Sequence, residues 1–485
     1  MSTIKKEMIN GVMWSAIEKY SGVIISLVIT SILARLISPE DFGVVSIASV
    51  IIAFLNLFTD LGIGPAIIQN KDLTKENLDS IFTFTLVGGI ILSILFFISA
   101  WEVANFYHNN KLIPICHFLS VNLLFAALNI VPHAEMAKNK QFKLIARRTL
   151  LLQIISGVVS VFFAFRGLGM YTLLISPIFT AIGVFTYNLK YYPRKIDWKF
   201  DLEPMKRIFA FSSYQFLFGF VNYFSRNIDN LLIGKFLGLA PLGFYDKAYR
   251  LMNLPLQNVT NVITPVMQPI LSSLQDNKQE LASKYCKILV VLAIVGFPLS
   301  SILFLNASEF IEIMYGPNWK ASIPIFKILA LSVSLQMLLS STGAIYQSAN
   351  KTKLLFINGI LNTSCTVIAF SLAIIVFKTL ESFAWAWDFS LLINSCVSFY
   401  ILFCIVLKSS LKNLLRIILF PFLSSLLIGI LCWILFNKVV IIESNILLIV
   451  LKTAFVITFY CALLQLFKFY NFLDLIKTIY LKIKK

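Results

Sequence analysis

Two apolar stretches, about 208–235 and 241–268, each carry a line of polar residues at helical spacing. The first holds Ser212, Gln215, Gly219, Asn222, Arg226 and Asp229, alternately three and four residues apart. The second holds Asp246, Arg250, Asn253, Gln257, Thr260 and Thr264, with Phe, Leu, Val and Met in most other positions. On a helix each set falls on one face. Placing an ionised side chain against lipid costs at least ~2.5 kcal/mol, so a charge in a membrane helix faces protein or water. Both stripes are therefore expected to line a wet space, which is the chemistry of passage rather than of bond breaking. His108, His117 and His133 have no metal-ligand spacing. The seven cysteines show neither paired nor CxxC spacing, so no disulfide, metal centre or cofactor is implied.

The elements that must hold those stripes are membrane spans. The chain of 485 residues is 58% hydrophobic and 13% charged, with 44 Phe; a soluble domain has roughly 45–50% apolar and about 25% charged residues. A net charge of +18 would suggest nucleic acid in a soluble protein. In a membrane protein it reads as basic cytoplasmic loops, and no nucleic-acid partner is expected. Lys5 and Lys6 precede a long apolar stretch with no small-residue cleavage site, so the first helix is read as uncleaved. Runs near the ~20 residues that span hydrocarbon fall at 11–36, 43–68, 80–104, 112–136, 145–166 and 168–189. They continue at 208–235, 241–272, 284–306, 321–349, 353–377 and 383–407, then at 414–437 and 442–467. The reading is an all-α polytopic protein of about fourteen transmembrane helices. With both termini inside, only Arg35, Lys111, Arg166, Lys235, Lys320, Lys378 and Lys438 of the 41 basic residues fall in outside connections. That asymmetry predicts cytoplasmic termini.

A polar stretch, Lys190 to Arg207, separates the first six spans from the next six. A shift of 200 residues places Gly43 on Gly243, Ala48 on Ala248, Ile63 on Ile263, Pro65 on Pro265 and Arg35 on Lys235. The polar stripe shifts too: Ser15, Lys19, Gly22, Ser26 and Thr30 fall on Gln215, Gly219, Asn222, Arg226 and Asn230. The expected organisation is an N-lobe over 1–190, a cytoplasmic linker over 191–207 and a C-lobe over 208–407. Two further helices and a cytoplasmic tail follow over 408–485. Parallel six-helix repeats are related by an axis along the membrane normal, and transporters place their substrate path between such repeats. Pro65, Pro132, Pro177, Pro265, Pro298 and Pro324 are expected to bend or break their spans. A basic helix over 138–148, with Phe142, Leu144 and Ile145 interleaved, is expected on the anionic inner leaflet.

Three segments carry a resemblance: Leu33-Ala-Arg-Leu-Ile-Ser-Pro-Glu-Asp-Phe-Gly43, Asp60-Leu-Gly-Ile-Gly-Pro-Ala-Ile-Ile-Gln69 and Gly243-Phe-Tyr-Asp-Lys-Ala-Tyr-Arg-Leu-Met-Asn-Leu-Pro255. They resemble the Wzx-like polysaccharide exporters of the MOP (multidrug/oligosaccharidyl-lipid/polysaccharide) flippase superfamily, through the twelfth span. The resemblance implies a V-shaped cavity between two lobes, alternating access and no catalytic motif. It implies a polyprenyl-pyrophosphate-linked oligosaccharide as cargo in the bacterial cytoplasmic membrane, for O-antigen, capsule or exopolysaccharide synthesis. Membrane lipids, a polysaccharide polymerase and chain-length machinery are the implied partners.

A pyrophosphate crossing the membrane needs cations with a geometry suited to phosphate, which favours arginine. Arg226 and Arg250 stand equally far before and after an apex near Gly238. On antiparallel helices they share a depth, ~18 Å from the apex at 1.5 Å rise per residue. They are the expected anion clamp, with Lys247, Asn222, Gln215 and Gln257 as further substrate contacts. The alternative is local neutralisation of Arg226 by Asp229 and of Arg250 by Asp246. Asp60 and Lys19 are the candidate ion-coupling pair for H+ or Na+, with Glu18, Asp229 and Glu135 beside them. The alternative for Lys19 and Asp60 is snorkelling to headgroup water. A drug or cation exporter of the same superfamily would want carboxylates and aromatics in the cavity. A membrane polymerase or ligase would want catalytic groups in a long outer loop, and none here is long.

Overall fold

The computed structural model describes residues 3–60, 62–70, 72–196, 220, 223, 226–272, 274–275, 277–438 and 444–470. Side chains are described for all of these except residues 3–9, 60, 261–266, 268–270 and 352. Among the described residues the structure is helical, with no strand. Eleven helices are long and apolar enough to cross a membrane, or twelve if one bent pair is a single span. The chain is a multi-pass membrane protein. It divides into two compact units, 1–243 and 244–485.

In the first unit the helices are α1 (Thr3–Leu36), α2 (Pro39–Asp60), α3 (Ile63–Gln69), α4 (Lys75–Tyr107), α5 (Leu112–Lys138), α6 (Phe142–Phe165) and α7 (Thr172–Tyr191). The described part of α8 covers 226–236. α4 shows why these sequences fold as they do. Thr74 caps it, accepting from the Asn77 amide while the Asn77 side chain accepts from the Thr74 amide, which satisfies two otherwise orphaned donors. Its buried face is Gly89, Ser93, Phe96, Ala100 and Ala104, while Ile91, Ile94, Leu95 and Ile98 are exposed. Small residues inside and large aliphatic residues outside are what lipid solvent selects. A Cβ at Gly89 would lie 2.6 Å from the Ala127 methyl, so glycine lets α4 close on α5. α6 packs along α1, where Gln153 donates to the Gly22 carbonyl at 2.9 Å.

At the mouth of the unit, Gly238 at φ 101° turns the chain between α8 and α9 (Leu239–Ser272). The expected apex is where the structure puts it. Beside it, the starts of α2 and α9 approach backbone to backbone. A Cβ on Gly43 would fall 1.8 Å from the Leu239 oxygen, and one on Gly243 would fall 2.1 Å from the Pro39 oxygen. The contact is reciprocal under the same 200-residue shift, since Pro39 maps to Leu239 and Gly43 to Gly243.

The second unit holds the rest of α9, then α10 (Lys278–Leu305), α11 (Ala307–Tyr315), α12 (Ser322–Leu331), α13 (Val333–Leu339), α14 (Thr342–Ser348), α15 (Thr352–Leu372), α16 (Leu380–Tyr400), α17 (Leu411–Lys438) and α18 (Asn445–Leu466). α10 is its hub, packing on α12, α13, α17 and α18. α9 has the length of a span, but its polar stripe keeps it outside the apolar set.

Among the described residues, Pro65 is the expected proline that stands at a break. Pro132, Pro177 and Pro298 sit inside continuous helices, and Pro265 lies within α9. Pro324 lies in the first turn of α12, where no helical hydrogen bond is lost. The span expected over 43–68 breaks at Gly62, φ 73°, just ahead of Pro65. The span over 321–349 bends by 42° at Ser332. There hydroxyls satisfy the freed carbonyls: Ser300 donates to the Ala330 oxygen at 2.6 Å, and Ser332 to the Leu329 oxygen at 2.7 Å. The basic segment 138–148 is not a separate surface helix. Lys138 ends α5, Lys140 turns at φ 56°, and Phe142 to Arg148 are the first turns of α6. Its Lys143 and Arg147 lie 5.5 and 5.8 Å from the Trp14 ring centroid, while Arg148 is buried and donates to Asn188.

Candidate functional site

The polar stripe of α9 begins with a charge cluster in the second unit. Asp246 and Lys247 are buried, and the Lys247 ammonium is 3.8 Å from the Asp246 carboxylate. Arg250, one turn on, donates from Nε to the same carboxylate at 2.9 Å, yet 62% of its side chain is exposed. One acid thus serves two bases. The local pairing weighed from sequence is present for Arg250 and Asp246. Tyr245 and Tyr249 stack along the helix at 6.0 Å, and Tyr249 meets Trp387 edge-on at 5.7 Å. The Tyr315 hydroxyl donates to the Lys247 carbonyl at 3.4 Å. Asn253 and Thr260 are half-buried, and Gln257 is exposed.

In the first unit Arg226 is exposed, while Asp229 is buried and accepts from the Asn230 amide at 2.8 Å. Asn227 donates to the Tyr223 carbonyl at 2.9 Å, and the Tyr223 hydroxyl donates to the Val50 carbonyl. Gln215 and Asn222 lie outside the described residues, as does the Asp60 side chain. Lys19 is exposed on α1 and Glu18 half-buried beside it. Glu135, a secondary coupling candidate, is buried and paired. Its carboxylate accepts from Arg194 at 2.9 Å, and Arg194 also bonds Asp79 at 2.9 Å and the Lys75 carbonyl at 3.3 Å. This ties residue 194, in the stretch after α7, to the starts and ends of α4 and α5.

Two charged features were missed. Glu309 on α11 forms a buried ion pair with Lys452 on α18, which also donates to the Leu305 carbonyl at 3.2 Å. Lys452 lies within the apolar run 442–467, which is itself a signal, but no spacing names its partner. Asp388 on α16 has both carboxylate oxygens buried without a well-formed hydrogen bond, and the Ser332 hydroxyl is close enough to interact. An aspartate in the apolar run 383–407 was itself a signal. Among the described residues no cluster of His, Cys, Asp or Glu could hold a metal ion.

The helical fold is shared with two solved membrane proteins. The lipid II flippase MurJ, in an inward closed conformation, superposes with a TM-score of 0.74 over 96% of this chain and all of that one, at 15% identity. An inward-facing multidrug resistance MATE transporter of the MOP superfamily superposes at 0.62 over 82% of this chain and 94% of the other, at 13% identity. The family described as "Polysaccharide biosynthesis protein" matches residues 32–324, and the chain belongs to it. Its relatives include the teichuronic acid biosynthesis protein TuaB of Bacillus subtilis (strain 168), 25% identical over 89% of this chain and 90% of TuaB. The lipopolysaccharide biosynthesis protein WzxC of Escherichia coli (strain K12) is 24% identical over 87% of this chain and 86% of WzxC. The expected resemblance is borne out.

Proposed function

We propose that the chain is a flippase that carries a lipid-linked oligosaccharide repeat unit across the bacterial cytoplasmic membrane by alternating access. The observation that carries the reading is Arg250, anchored at Nε by a buried carboxylate while much of its side chain stays exposed. A guanidinium held that way offers a fixed fork to a phosphate. Its setting, a chain of the polysaccharide biosynthesis family with the fold of a lipid flippase, supports a lipid-linked phosphate as the anion. The cargo is a polyprenyl pyrophosphate, bound by Arg226 and Arg250 with Lys247, Asn222, Gln215 and Gln257. A transporter of this kind performs no covalent chemistry.

The finer architecture belongs to the same proposal. Fourteen spans form two six-helix lobes, 1–190 and 208–407, joined by 191–207 and followed by a helix pair and tail over 408–485. Both termini are cytoplasmic. The reciprocal approach of Gly43 and Gly243 supports an internal two-fold relation. Asp60 and Lys19, with Glu18 and Asp229, couple transport to H+ or Na+, and a polymerase with its chain-length machinery receives the product. Depleting the protein and identifying lipids of the inner leaflet tests the main reading. Accumulation of an oligosaccharide on a polyprenyl pyrophosphate is expected; an unchanged lipid-linked pool would sink it. Asp60→Asn is expected to remove dependence on the ion gradient while leaving membrane level unchanged. Unaltered ion dependence would return Asp60 to a structural role.

A further inference from the structure

At one end of the second unit, the first turns of α10 and α17 meet the residues that follow α16 and α18. They enclose a cleft of about 830 Å³. Four cations line it, Lys287 from α10, Lys408 after α16, Arg416 from α17 and Lys468 after α18. No carboxylate lines it, and among the described residues none of the four makes an ion pair. The cleft therefore concentrates uncompensated positive potential. Its polar remainder is Gln279, Ser283, Ser409 and Asn413, all able to donate to a phosphate oxygen. The floor is apolar, with Val290, Ile417 and Phe469, the last stacked on Phe420 at 5.0 Å. Just beyond it, Val291, Leu415 and Leu419 are exposed on the outer faces of α10 and α17.

We infer that this cleft binds the phosphodiester headgroup of an anionic phospholipid, whose chains lie along the outer faces of α10 and α17. The volume far exceeds a lone phosphate and suits a headgroup. The position, at the ends of membrane-crossing helices with aliphatic side chains beside it, selects a lipid over a free anion. Basic pockets between spans recognise anionic headgroups by this combination. A lipid held here would brace α17 and α18 against α10. The inference rests on the chain spanning a membrane, not on its being an exporter; inside-positive counting only assigns the lipid to the inner leaflet.

Native mass spectrometry of the full chain, released from vesicles of phosphatidylglycerol, cardiolipin and phosphatidylcholine, tests it. The parent should retain anionic lipid about ten-fold over phosphatidylcholine. With each cation near the surface worth roughly five-fold in lipid affinity, Lys287→Gln/Arg416→Gln should lose retention by at least that factor. A comparison variant, Lys143→Gln/Lys353→Gln, removes the same charge elsewhere and should retain lipid like the parent. Single Arg416→Gln and Lys287→Gln chains give the same reading if the double variant inserts poorly. Equal loss in the comparison variant, or unchanged retention in the cleft variants, would reduce the cleft to general surface attraction and overturn the inference. Displacement of bound lipid by millimolar inorganic phosphate would overturn it in favour of a free-anion site.

Discussion

Two ion pairs in the second unit set the same types of group together and do different things. Between α11 and α18, the Glu309 and Lys452 side chains are each 9% exposed, so both charges are covered by their partner and by protein. On α9, Asp246 is covered but Arg250 is 62% exposed, and Lys247 leans on the same acid. The first arrangement consumes its charge. The second leaves one positive group facing outward in a fixed orientation. Charge inside a membrane helix is thus not by itself a functional mark; what matters is which member of the pair is left uncovered.

Four changes would break or sharpen that contrast. The largest effect on stability is expected from Lys452→Ala, which strands the buried Glu309 carboxylate at a cost of ~3–5 kcal/mol. Membrane level and melting temperature should fall sharply, and Lys452→Met with Glu309→Leu should restore them. Arg250→Ala should instead insert at parental level while export collapses; a comparable loss of protein would erase the distinction. Arg250→Lys should recover export only in part, because the charge remains without the fork.

In the first unit, Arg226→Ala is read beside Arg226→Ala/Asp229→Asn. Continued inactivity of the well-inserted double variant marks Arg226 as a cargo contact, whereas parental transport would make the residue structural. A smaller effect is expected at Lys111, which bonds Glu40 at 3.0 Å outside the spans and is 46% exposed. The Glu40 hydrogen bond raises its pKa above the ordinary lysine value of 10.5. Its contribution is therefore complete below that value and lost only as pH rises through the raised one. Lys111→Met should lower stability by under about 1 kcal/mol, equally at pH 6 and pH 8, in thermal melts; a pH-dependent difference across that range would contradict the assignment.

What the sequence made legible was local. Most of the spans, the apex at Gly238 and the stripe of α9 follow from periodicity within some thirty residues, and among the described residues helices fall there. The unread features join distant positions. Arg194 meets Asp79 and Glu135 across 115 and 59 residues, and Lys452 meets Glu309 across 143. No helical spacing encodes such pairs. The break at Ser332 escaped for another reason: prolines were weighed as the breakers, while neighbouring hydroxyls made the serine break affordable.

The glycine contact has a consequence for how such a chain can change over time. Because Gly43 rests on the Leu239 backbone and Gly243 on the Pro39 backbone, each of the two turns is the mould for the other. A methyl added at either position meets a carbonyl oxygen rather than a side chain that could shrink in response. No second substitution on the facing stretch of chain can make room for it. The two positions are closed to change together, as if they were a single residue.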